Sequence, residues 1–328
     1  DSFNRGVACS AWRLKSSFNI FIMSQIIDCP SVGVVLVTYN RAFLLSQSID
    51  AILNQQVQAN ITLYVVDNAS IDQTAQIVAS KPQAQMHYIR SRRNLGGAGG
   101  FCLGLKTAYQ MGHEWLWLLD DDILAAPDCL ANLLHYMQYP VLMPAREDKN
   151  ADLAEYSALR YNLKNPFYIH AKREQVCDRY QKREELPELL PIANFSFEGL
   201  LLHCSIVKQV GLPFAEYFIA GDDTDYAQRV TRRGFPIYLV KDARVQRQLH
   251  FNKQEALFSW KGYYMLRNMF VIHFLYGENF LVRLKPYWLM LGAILTGKSL
   301  KNKNLRFSLL KDARRLAKDI KQQHSQWL

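Results

Sequence analysis

The chain has 328 residues, 49% of them apolar and 21% charged, which excludes a disordered protein and suffices for one large α/β domain with a helical appendage. Its formal net charge is +10, but nine basic and two acidic residues between 298 and 321 account for +7 of that charge. Because the remaining chain is nearly neutral, the charge does not indicate a nucleic-acid partner.

The first 22 residues are not expected to belong to the fold. Residues 1–22 precede Met23, which opens a plausible native start, and we expect them to be a non-native or disordered leader. No uncharged apolar run reaches the roughly 18 to 20 residues needed to cross a bilayer. The six cysteines form no CxxC pair, which indicates reduced thiols in a cytoplasmic protein.

The first third of the chain alternates strand and helix patterns. The continuous apolar, β-branched run Ser31–Thr38 predicts a strand buried on both faces of a parallel sheet. The elements predicted after it are helix Arg41–Asn54, strand Ile61–Val66, helix Ser70–Val78, strand Met86–Arg90, helix Gly99–Met111 and strand Glu114–Leu119. We expect Ser70 or Asp72 to cap the second of these helices. This alternation predicts a doubly wound α/β fold with a mostly parallel sheet flanked by helices.

The rest of the chain has weaker patterns. Residues 151–190 are polar and lack strand periodicity, so we expect a loop or helical excursion over the sheet. Core-like sequence returns at Asn194–His203, and a turn followed by a strand is predicted for Arg233–Val240. From Ala256 onward the pattern is helical, which predicts a helical C-terminal extension.

Polar side chains follow three of the predicted strands at the point where each strand ends. They are Thr38–Asn40, Asp67 with Asn68, and Asp120–Asp122. Since ligands bind beyond the carboxyl ends of the strands in open α/β sheets, these groups predict one shared site.

The triplet Asp120–Asp122 is the sharpest chemical signal. Adjacent carboxylates repel one another and raise one another's pKa. A hard divalent cation such as Mg²⁺ or Mn²⁺ relieves this repulsion, because such ions prefer oxygen ligands. The alternative is a solvated acidic turn or a helix cap.

A second acidic cluster contains Asp222 and Asp223. An acid at the mouth of a cleft can act as a general base toward an attacking hydroxyl. The alternative is that one of the two caps the predicted helix Asp225–Arg232. His250 follows a basic stretch, and its imidazole is either a third metal ligand or a structural side chain.

The segment Asn94–Phe101 (NLGGAGGF) is glycine-rich and leads into a helix. Bare glycines let backbone N–H groups approach an anion, and a helix N-terminus favours negative charge. Arg92 and Arg93, just before it, could neutralise a diphosphate. The alternative is a sharp surface turn, and neither a P-loop nor a dinucleotide fingerprint is present.

Taken together, these segments resemble the family 2 glycosyltransferases of the GT-A fold over about Val32 to Asn268. The segments that carry the resemblance are VTYNR (Val37–Arg41), VVDNASIDQT (Val65–Thr74), NLGGAGGF (Asn94–Phe101), LLDDDI (Leu118–Ile123), FEGLLL (Phe197–Leu202), GLP (Gly211–Pro213), FIAGDDTDYAQR (Phe218–Arg229) and YYMLRN (Tyr263–Asn268). Each is weak alone, but eight in the family's order form a strong signal.

The resemblance implies a division of labour among the candidate residues. It implies nucleotide-sugar contacts from Thr38, Tyr39, Asn40, Arg41, Asp67, Asn68, Arg93, Asn94, Gly97 and Asp121; a divalent metal on Asp120, Asp122 and His250; Asp223 as general base beside Asp222; and acceptor contacts from Phe197, Glu198 and Gly199. It also implies a catalytic domain over 23–255, with a nucleotide-sugar-binding half (31–123) and an acceptor and catalytic half (190–250), followed by a helical region (256–328).

Within the family, the glycine-rich segment and the triple Asp look most like the bacterial galactofuranosyl- and rhamnosyltransferases. The implied reaction is inverting, metal-dependent transfer of galactofuranose from UDP-galactofuranose to a glycan or lipid-linked acceptor of a bacterial surface polysaccharide. Transfer of rhamnose from dTDP-rhamnose is the alternative. More distant alternatives are a Mg²⁺-dependent nucleotidyltransferase and a non-catalytic nucleotide-sugar-binding module.

The basic segment 298–321 has its own pattern. Leu305, Leu309, Leu316 and Ile320 fall at helical intervals among Lys and Arg residues. This predicts an amphipathic basic helix that contacts an anionic membrane, so we expect a peripheral protein on the inner face of the bacterial cytoplasmic membrane. The alternative is a packing helix with a solvated basic face.

Overall fold

The structure is a computed structural model that describes residues 29–168, 170–250, 253–296 and 303–328. The side chains of residues 253, 293–296 and 303–307 also lie outside this description. The predicted leader, residues 1–22, lies outside the described residues.

Strands and helices alternate through most of the chain. The strands are β1 (Ser31–Thr38), β2 (Asn60–Asp67), β3 (Met86–Arg90), β4 (Trp115–Asp120), β5 (Ile123–Ala125), β6 (Val141–Glu147), β7 (Ala158–Tyr161), β8 (Lys172–Gln175), β9 (Leu189–Ile192), β10 (Leu200–His203) and β11 (Ile237–Arg247). The helices are α1 (Ala42–Leu53), α2 (Thr74–Ser80), α3 (Gly96–Gln110), α4 (Cys129–Leu134), α5 (Val176–Arg179), α6 (Cys204–Val210), α7 (Asp222–Arg232), α8 (Lys253–Phe258), α9 (Lys261–Tyr276), α10 (Phe280–Thr296) and α11 (Lys303–Gln323). Short 3₁₀ helices span Arg183–Glu185, Ala215–Tyr217 and Ser325–Trp327.

Nine of the described strands form one mixed sheet. Its order is β3-β2-β1-β4-β10-β6-β11-β5, and β9 also pairs with β11. The strands β3, β2, β1 and β4 run parallel to one another, which confirms the predicted parallel unit. Strand β10 runs antiparallel to both β4 and β6, so the sheet is mostly but not wholly parallel.

Both faces of the sheet are covered, as the apolar run of β1 predicts. Val35 and Val37 face a core that includes Phe101 of α3, and Leu36 faces a second core that includes Leu45 of α1. Each of these side chains is at most 5% exposed. The continuous apolar run therefore arises because a central strand must bury alternate side chains in two different cores.

Two predictions about local structure were wrong. The excursion 151–190 contains β7 and β8, which form a two-stranded antiparallel sheet, and β9, which adds to the main sheet, begins at its end. These strands have four residues each, too few for a detectable period. Helix α2 begins at Thr74 with Gln73 as its N-cap residue, whereas Asp72 accepts hydrogen bonds from Thr74.

The C-terminal helices pack as a separate layer, as the helical pattern from Ala256 predicts. Helix α11 buries Leu309, Ala313, Ala317 and Ile320 in the same core as residues of α9 and α10. This packing favours the alternative for the basic segment, a packing helix with a solvated basic face. Across the residues that the structure describes, no helix is both long enough and apolar enough to cross a bilayer.

Candidate active site

The three polar clusters that follow strands share one edge of the sheet. Thr38 at the end of β1 lies opposite Asp67 at the end of β2, and Val37 lies opposite Asp120 at the end of β4. Parallel pairing therefore brings together the groups that the sequence places more than eighty residues apart.

Asp121, the central carboxylate of the triplet, is bound inside the protein. It is 3% exposed and accepts hydrogen bonds from Thr38 Oγ1 and Arg41 Nη1, both at 2.8 Å. Its backbone oxygen accepts a third from Ser48 Oγ. Burial raises the pKa of Asp121, and the Arg41 charge opposes that rise. Asp121 thus fixes the turn after β4 rather than facing a ligand with a free carboxylate.

The flanking carboxylates of Asp120 and Asp122 are in the opposite situation. In the described part of the chain, no hydrogen bond or ion pair to either side chain is found. Burial raises the pKa of Asp120 well above its ordinary value, and the charges of Asp122 and Glu198 raise it further. Burial and Glu198 raise the pKa of Asp122 to about 6. Two crowded, unpartnered carboxylates form a donor set that suits a hard divalent cation.

The third predicted metal ligand is not gathered with these two. His250 is exposed and lies beyond the end of β11. Within the described ranges, no group of three or more His, Cys, Asp or Glu side chains is placed to hold a metal ion. The structure therefore supplies two carboxylates of the predicted site, and the role of His250 stays a prediction.

Glu198 is the carboxylate that connects the two acidic clusters. Arg146 and Arg247 both form ion pairs with it. Burial works to raise the pKa of Glu198, but the two arginines outweigh it and hold that pKa below its ordinary value. The resulting charge raises the pKa of Asp120 and Asp122 and adds to the raised pKa of Asp223. The charge of Glu198 therefore acts on both acidic clusters.

The second cluster lies at the N-terminus of α7. Gly221, with φ +88°, is the N-cap residue, so neither Asp222 nor Asp223 occupies the cap position that the sequence suggested. Asp222 is 7% exposed, and burial together with the charge of Asp223 raises its pKa to about 8. Burial also raises the pKa of Asp223, opposed by its hydrogen bond from the Thr224 backbone. Two buried carboxylates this close disfavour being charged together.

Asp225, in the same cluster, has a structural environment. It is fully buried and accepts hydrogen bonds from Tyr217 at 2.9 Å, Tyr276 at 2.7 Å and Arg229 at 2.9 Å. The two tyrosine bonds tie α7 to its surroundings and the Arg229 bond lies within the helix, so Asp225 anchors the helix that presents Asp222 and Asp223.

The residues predicted to bind the nucleotide lie along the same edge of the sheet but differ in how exposed their side chains are. Asp67 is fully buried and bonded to Tyr88 at 2.5 Å and to the Ser70 backbone at 2.7 Å. Tyr39, in contrast, is 43% exposed. A cleft of 370 Å³ beside them is lined by Asn40, Arg41, Ala42, Phe43, Leu44, Asp72 and Gln73. Its size is that of a small-molecule site.

Comparison with known proteins identifies the chain at this point. The family described as glycosyl transferase family 2 matches residues 33–210. The chain belongs to this family. Galactofuranosyltransferase GlfT1 of Mycobacterium tuberculosis is 35% identical over 221 residues, which cover 65% of this chain and 68% of that protein. GlfT1 of Mycolicibacterium smegmatis is 31% identical over 205 residues, covering 62% of this chain and 67% of that protein.

A solved structure places this glycosyltransferase in the GT-A fold. The mannosyltransferase PcManGT from Pyrobaculum calidifontis, in complex with GDP-Man and Mn²⁺, aligns with a TM-score of 0.54. The alignment covers 90% of this chain and 88% of that one at 18% identity. It confirms the predicted fold class, a mostly parallel sheet flanked by helices.

The glycine-rich segment of this glycosyltransferase is explained largely by close packing. A Cβ on Gly96 (φ +71°) would lie 1.9 Å from the carbonyl oxygen of Phe218, and Cβ atoms on Gly100 and Gly104 would overlap side chains of β1. Gly97 alone of these four has open space around its Cβ position. An anion could therefore approach at Gly97 but not at the other glycines of this set.

Some of the other residues around this segment have structural contacts, and others are exposed. Asn94 accepts a hydrogen bond from the Gly96 backbone at 2.8 Å, and Asn68 Nδ2 donates to the Gly96 carbonyl at 3.0 Å. Arg93 is exposed, and among the described residues no partner of its side chain is found. Asn94 and Asn68 thus shape the segment, while Arg93 keeps its charge available.

The three residues predicted to bind the acceptor also have different environments. Phe197 is 3% exposed and packs on Phe101, with ring centroids 4.8 Å apart. Gly199 has φ +105°, and a Cβ there would lie 2.5 Å from Pro144. Only Glu198 of the three faces the acidic clusters, so Phe197 and Gly199 position it from the core.

Sequence reasoning missed the two arginines that hold Glu198. Arg146 interrupts the apolar strand β6 and is 2% exposed, which is an unusual place for a charge. Arg247 ends β11, a strand that the sequence pattern had ended at Val240. An arginine inside an apolar strand run was the available signal, because a buried charge requires a partner.

Proposed function

We propose that this family 2 glycosyltransferase is an inverting, metal-dependent enzyme. The proposed reaction transfers galactofuranose from UDP-galactofuranose to a glycan or lipid-linked acceptor during bacterial surface polysaccharide synthesis. The observation that carries the proposal is twofold: Asp120 ends β4 at the sheet edge shared with Thr38 and Asp67, and the charge of Glu198 raises the pKa of Asp120, Asp122 and Asp223 alike. We infer from this shared charge that the candidate metal site and the candidate base belong to one site.

The donor assignment rests on the relatives. The two mycobacterial proteins that match at 31% and 35% identity are named galactofuranosyltransferases, and we extend that sugar to this chain. We propose that the nucleotide lies along the strand ends beside the 370 Å³ cleft, with Thr38, Tyr39, Asn40 and Arg41 near it. dTDP-rhamnose remains the alternative donor.

We assign the metal to Asp120 and Asp122, with His250 as the proposed third ligand. Burial and mutual repulsion disfavour the charged forms of these two carboxylates. A hard cation between them would offset that cost, so the pair suits a divalent ion. Mn²⁺ accompanies GDP-Man in PcManGT, which supports Mn²⁺ or Mg²⁺ here. Such an ion supplies Lewis-acid stabilisation of the charge that builds on the leaving diphosphate.

Asp223 is the proposed general base. The acceptor hydroxyl oxygen forms a bond to the anomeric carbon, the bond from that carbon to the diphosphate oxygen breaks, and the hydroxyl proton passes to the Asp223 carboxylate. Attack from the face opposite the leaving group inverts the anomeric configuration. Burial raises the pKa of Asp223, which makes its carboxylate a stronger proton acceptor than an exposed aspartate.

We also propose peripheral contact with the inner face of the cytoplasmic membrane. The basic residues Lys311, Arg314, Arg315, Lys318 and Lys321 of α11 are exposed, although the apolar face of the helix is buried. Apolar contact would come from α10 instead, where Leu281, Trp288 and Leu291 are 54%, 62% and 46% exposed. Basic residues near exposed Trp and Leu suit an anionic lipid surface.

A donor screen tests the proposed function most directly. Release of UDP or dTDP is measured with UDP-galactofuranose, other UDP-sugars and dTDP-rhamnose, each with Mn²⁺ and an acceptor glycan. UDP release from UDP-galactofuranose alone is expected. Turnover only with dTDP-rhamnose would replace the donor, and the absence of turnover with every nucleotide sugar would contradict the enzyme assignment for the conditions of that screen.

A further inference from the structure

The loop that leads into α7 has a strained backbone. Phe218 (φ +66°) and Ala220 (φ +64°) both lie in the left-handed region, and Gly221 follows with φ +88°. Side-chain-bearing residues adopt such angles only where the surroundings over-determine them. Since Asp222 and Asp223 come directly after this loop, the groups that hold it also set where these carboxylates lie.

Asn268 of α9 makes the most contacts of this kind. Asn268 is 1% exposed. Its Nδ2 donates to the carbonyl oxygens of Tyr217 at 3.0 Å, Ile219 at 2.9 Å and Ala220 at 2.6 Å. One amide has two N–H groups, so three carbonyls share them. Its Oδ1 accepts from Arg267 Nε at 2.8 Å, which fixes the orientation of the amide.

Two other contacts close the loop from either side. Arg267 Nη2 donates to the carbonyl of Tyr217 at 2.8 Å. On the side of α3, the Ala98 backbone donates to the Phe218 carbonyl at 3.1 Å. A Cβ on Gly221 would lie 3.1 Å from the Asn268 Cβ, so the backbone and the asparagine fit tightly. The loop is thereby clamped between α9 and α3.

We propose that Asn268 is a positioning residue for sugar transfer, acting through loop 217–221 to place Asp223 at the attacking hydroxyl. The proposal rests on the base role of Asp223 proposed above. It gives a physical reason for the Arg-Asn pair in YYMLRN, a motif whose function the sequence alone leaves open. Displacing a catalytic group by about 1 Å costs on the order of 10²-fold in rate.

The test compares three variants of the full chain. Asn268→Ala removes both N–H donors, and Asn268→Asp removes them while keeping the shape of the side chain. Tyr263→Phe is the matched control, because it deletes a 2.6 Å hydrogen bond from the same helix to Asp312 of α11 without touching the loop carbonyls or α7. For each we measure kcat and KM, the free energy of unfolding, and backbone hydrogen exchange of residues 217–224.

Both Asn268 variants are expected to lose about 10²-fold in kcat with donor KM changed less than about threefold, and to exchange faster in 217–224. Tyr263→Phe is expected to lose stability while keeping kcat within about threefold. Unchanged exchange or unchanged kcat in Asn268→Ala would overturn the proposal. So would an equal kcat loss in Tyr263→Phe, or a loss confined to Asn268→Asp, since each would trace the effect to stability or to an added charge.

Failure of the underlying function gives a different result. Normal transfer by Asp223→Asn would remove the proposed base. An impaired Asp223→Asn beside an unimpaired Asn268→Ala would leave the base in place and overturn only the positioning role.

Discussion

The carboxylates of the site have different surroundings in its two regions. In the strand-end region, Asp67 and Asp121 are buried but bonded to Tyr88, Thr38 and Arg41, so their positions are set before any ligand arrives. Around α7 and the flanks of the triplet, carboxylates are crowded together and their pKa values are raised. The difference indicates that the strand-end region is a rigid scaffold. The region around α7 and the triplet flanks has the perturbed pKa values that are typical of catalytic groups.

Removal of divalent metal is expected to have the largest effect. EDTA should reduce transfer to background, because Asp120 and Asp122 then face each other without a cation, and added Mn²⁺ should restore it. The measurement is UDP release over a Mn²⁺ titration after chelation, with EDTA presaturated with Ca²⁺ as the control. Full activity in excess chelator would show that the crowded carboxylates do not serve a metal.

Asp223→Asn is expected to lose about 10²- to 10⁴-fold in kcat while donor KM stays within about threefold. The amide keeps the shape of the side chain but accepts no proton. Steady-state kinetics with varied donor and acceptor measure the effect, and the exposed Glu278→Gln is the control. Turnover equal to that of the unmodified protein would take Asp223 out of the mechanism.

Asp222 predicts a pH dependence of stability. Its folded pKa of about 8 lies above the ordinary value of an aspartate, so the folded protein binds this proton more tightly than the unfolded chain. The free energy of unfolding should therefore fall as pH rises from about 4 to about 8. Asp222→Asn should flatten this fall, with a gain of up to a few kcal/mol at pH 8. Urea unfolding across that range measures it, and parallel curves for both proteins would contradict the raised pKa.

Thr38→Val tests the scaffold region. The substitution keeps the shape but leaves the Asp121 Oδ2 without its 2.8 Å donor, which should lower the free energy of unfolding by about 1–3 kcal/mol. Thr231→Val, on a partly exposed face of α7, should change it less. Equal effects in urea unfolding would mean that the partners of Asp121 add nothing special to stability.

The smallest expected effect lies outside the site. Trp288→Ser on α10 should weaken flotation with anionic vesicles by about tenfold, because less apolar surface enters the lipid interface. Met137→Ser, 51% exposed in another part of the chain, is the control. Equal flotation of Trp288→Ser and the unmodified protein would exclude this face of α10 as the membrane contact.

Much of the scaffold region could be predicted from the sequence. Strands β1 and β3 have the predicted bounds, and β2 and β4 differ from them by one residue at each end. A strand buried on both faces must be continuously apolar, and its polar successors then mark the strand end, so local sequence contains the information. The division into halves 31–123 and 190–250 stays a prediction.

Only the tertiary structure revealed how the second region is held. Glu198 meets Arg146 and Arg247, and Asn268 meets carbonyls some fifty residues earlier in the chain. It also turned the apolar face of α11 toward α9 rather than toward a membrane. Local periodicity reports which side chains are buried but not what they are buried against. Pairings between distant residues depend on how whole elements pack, and buried charges depend on those pairings most strongly.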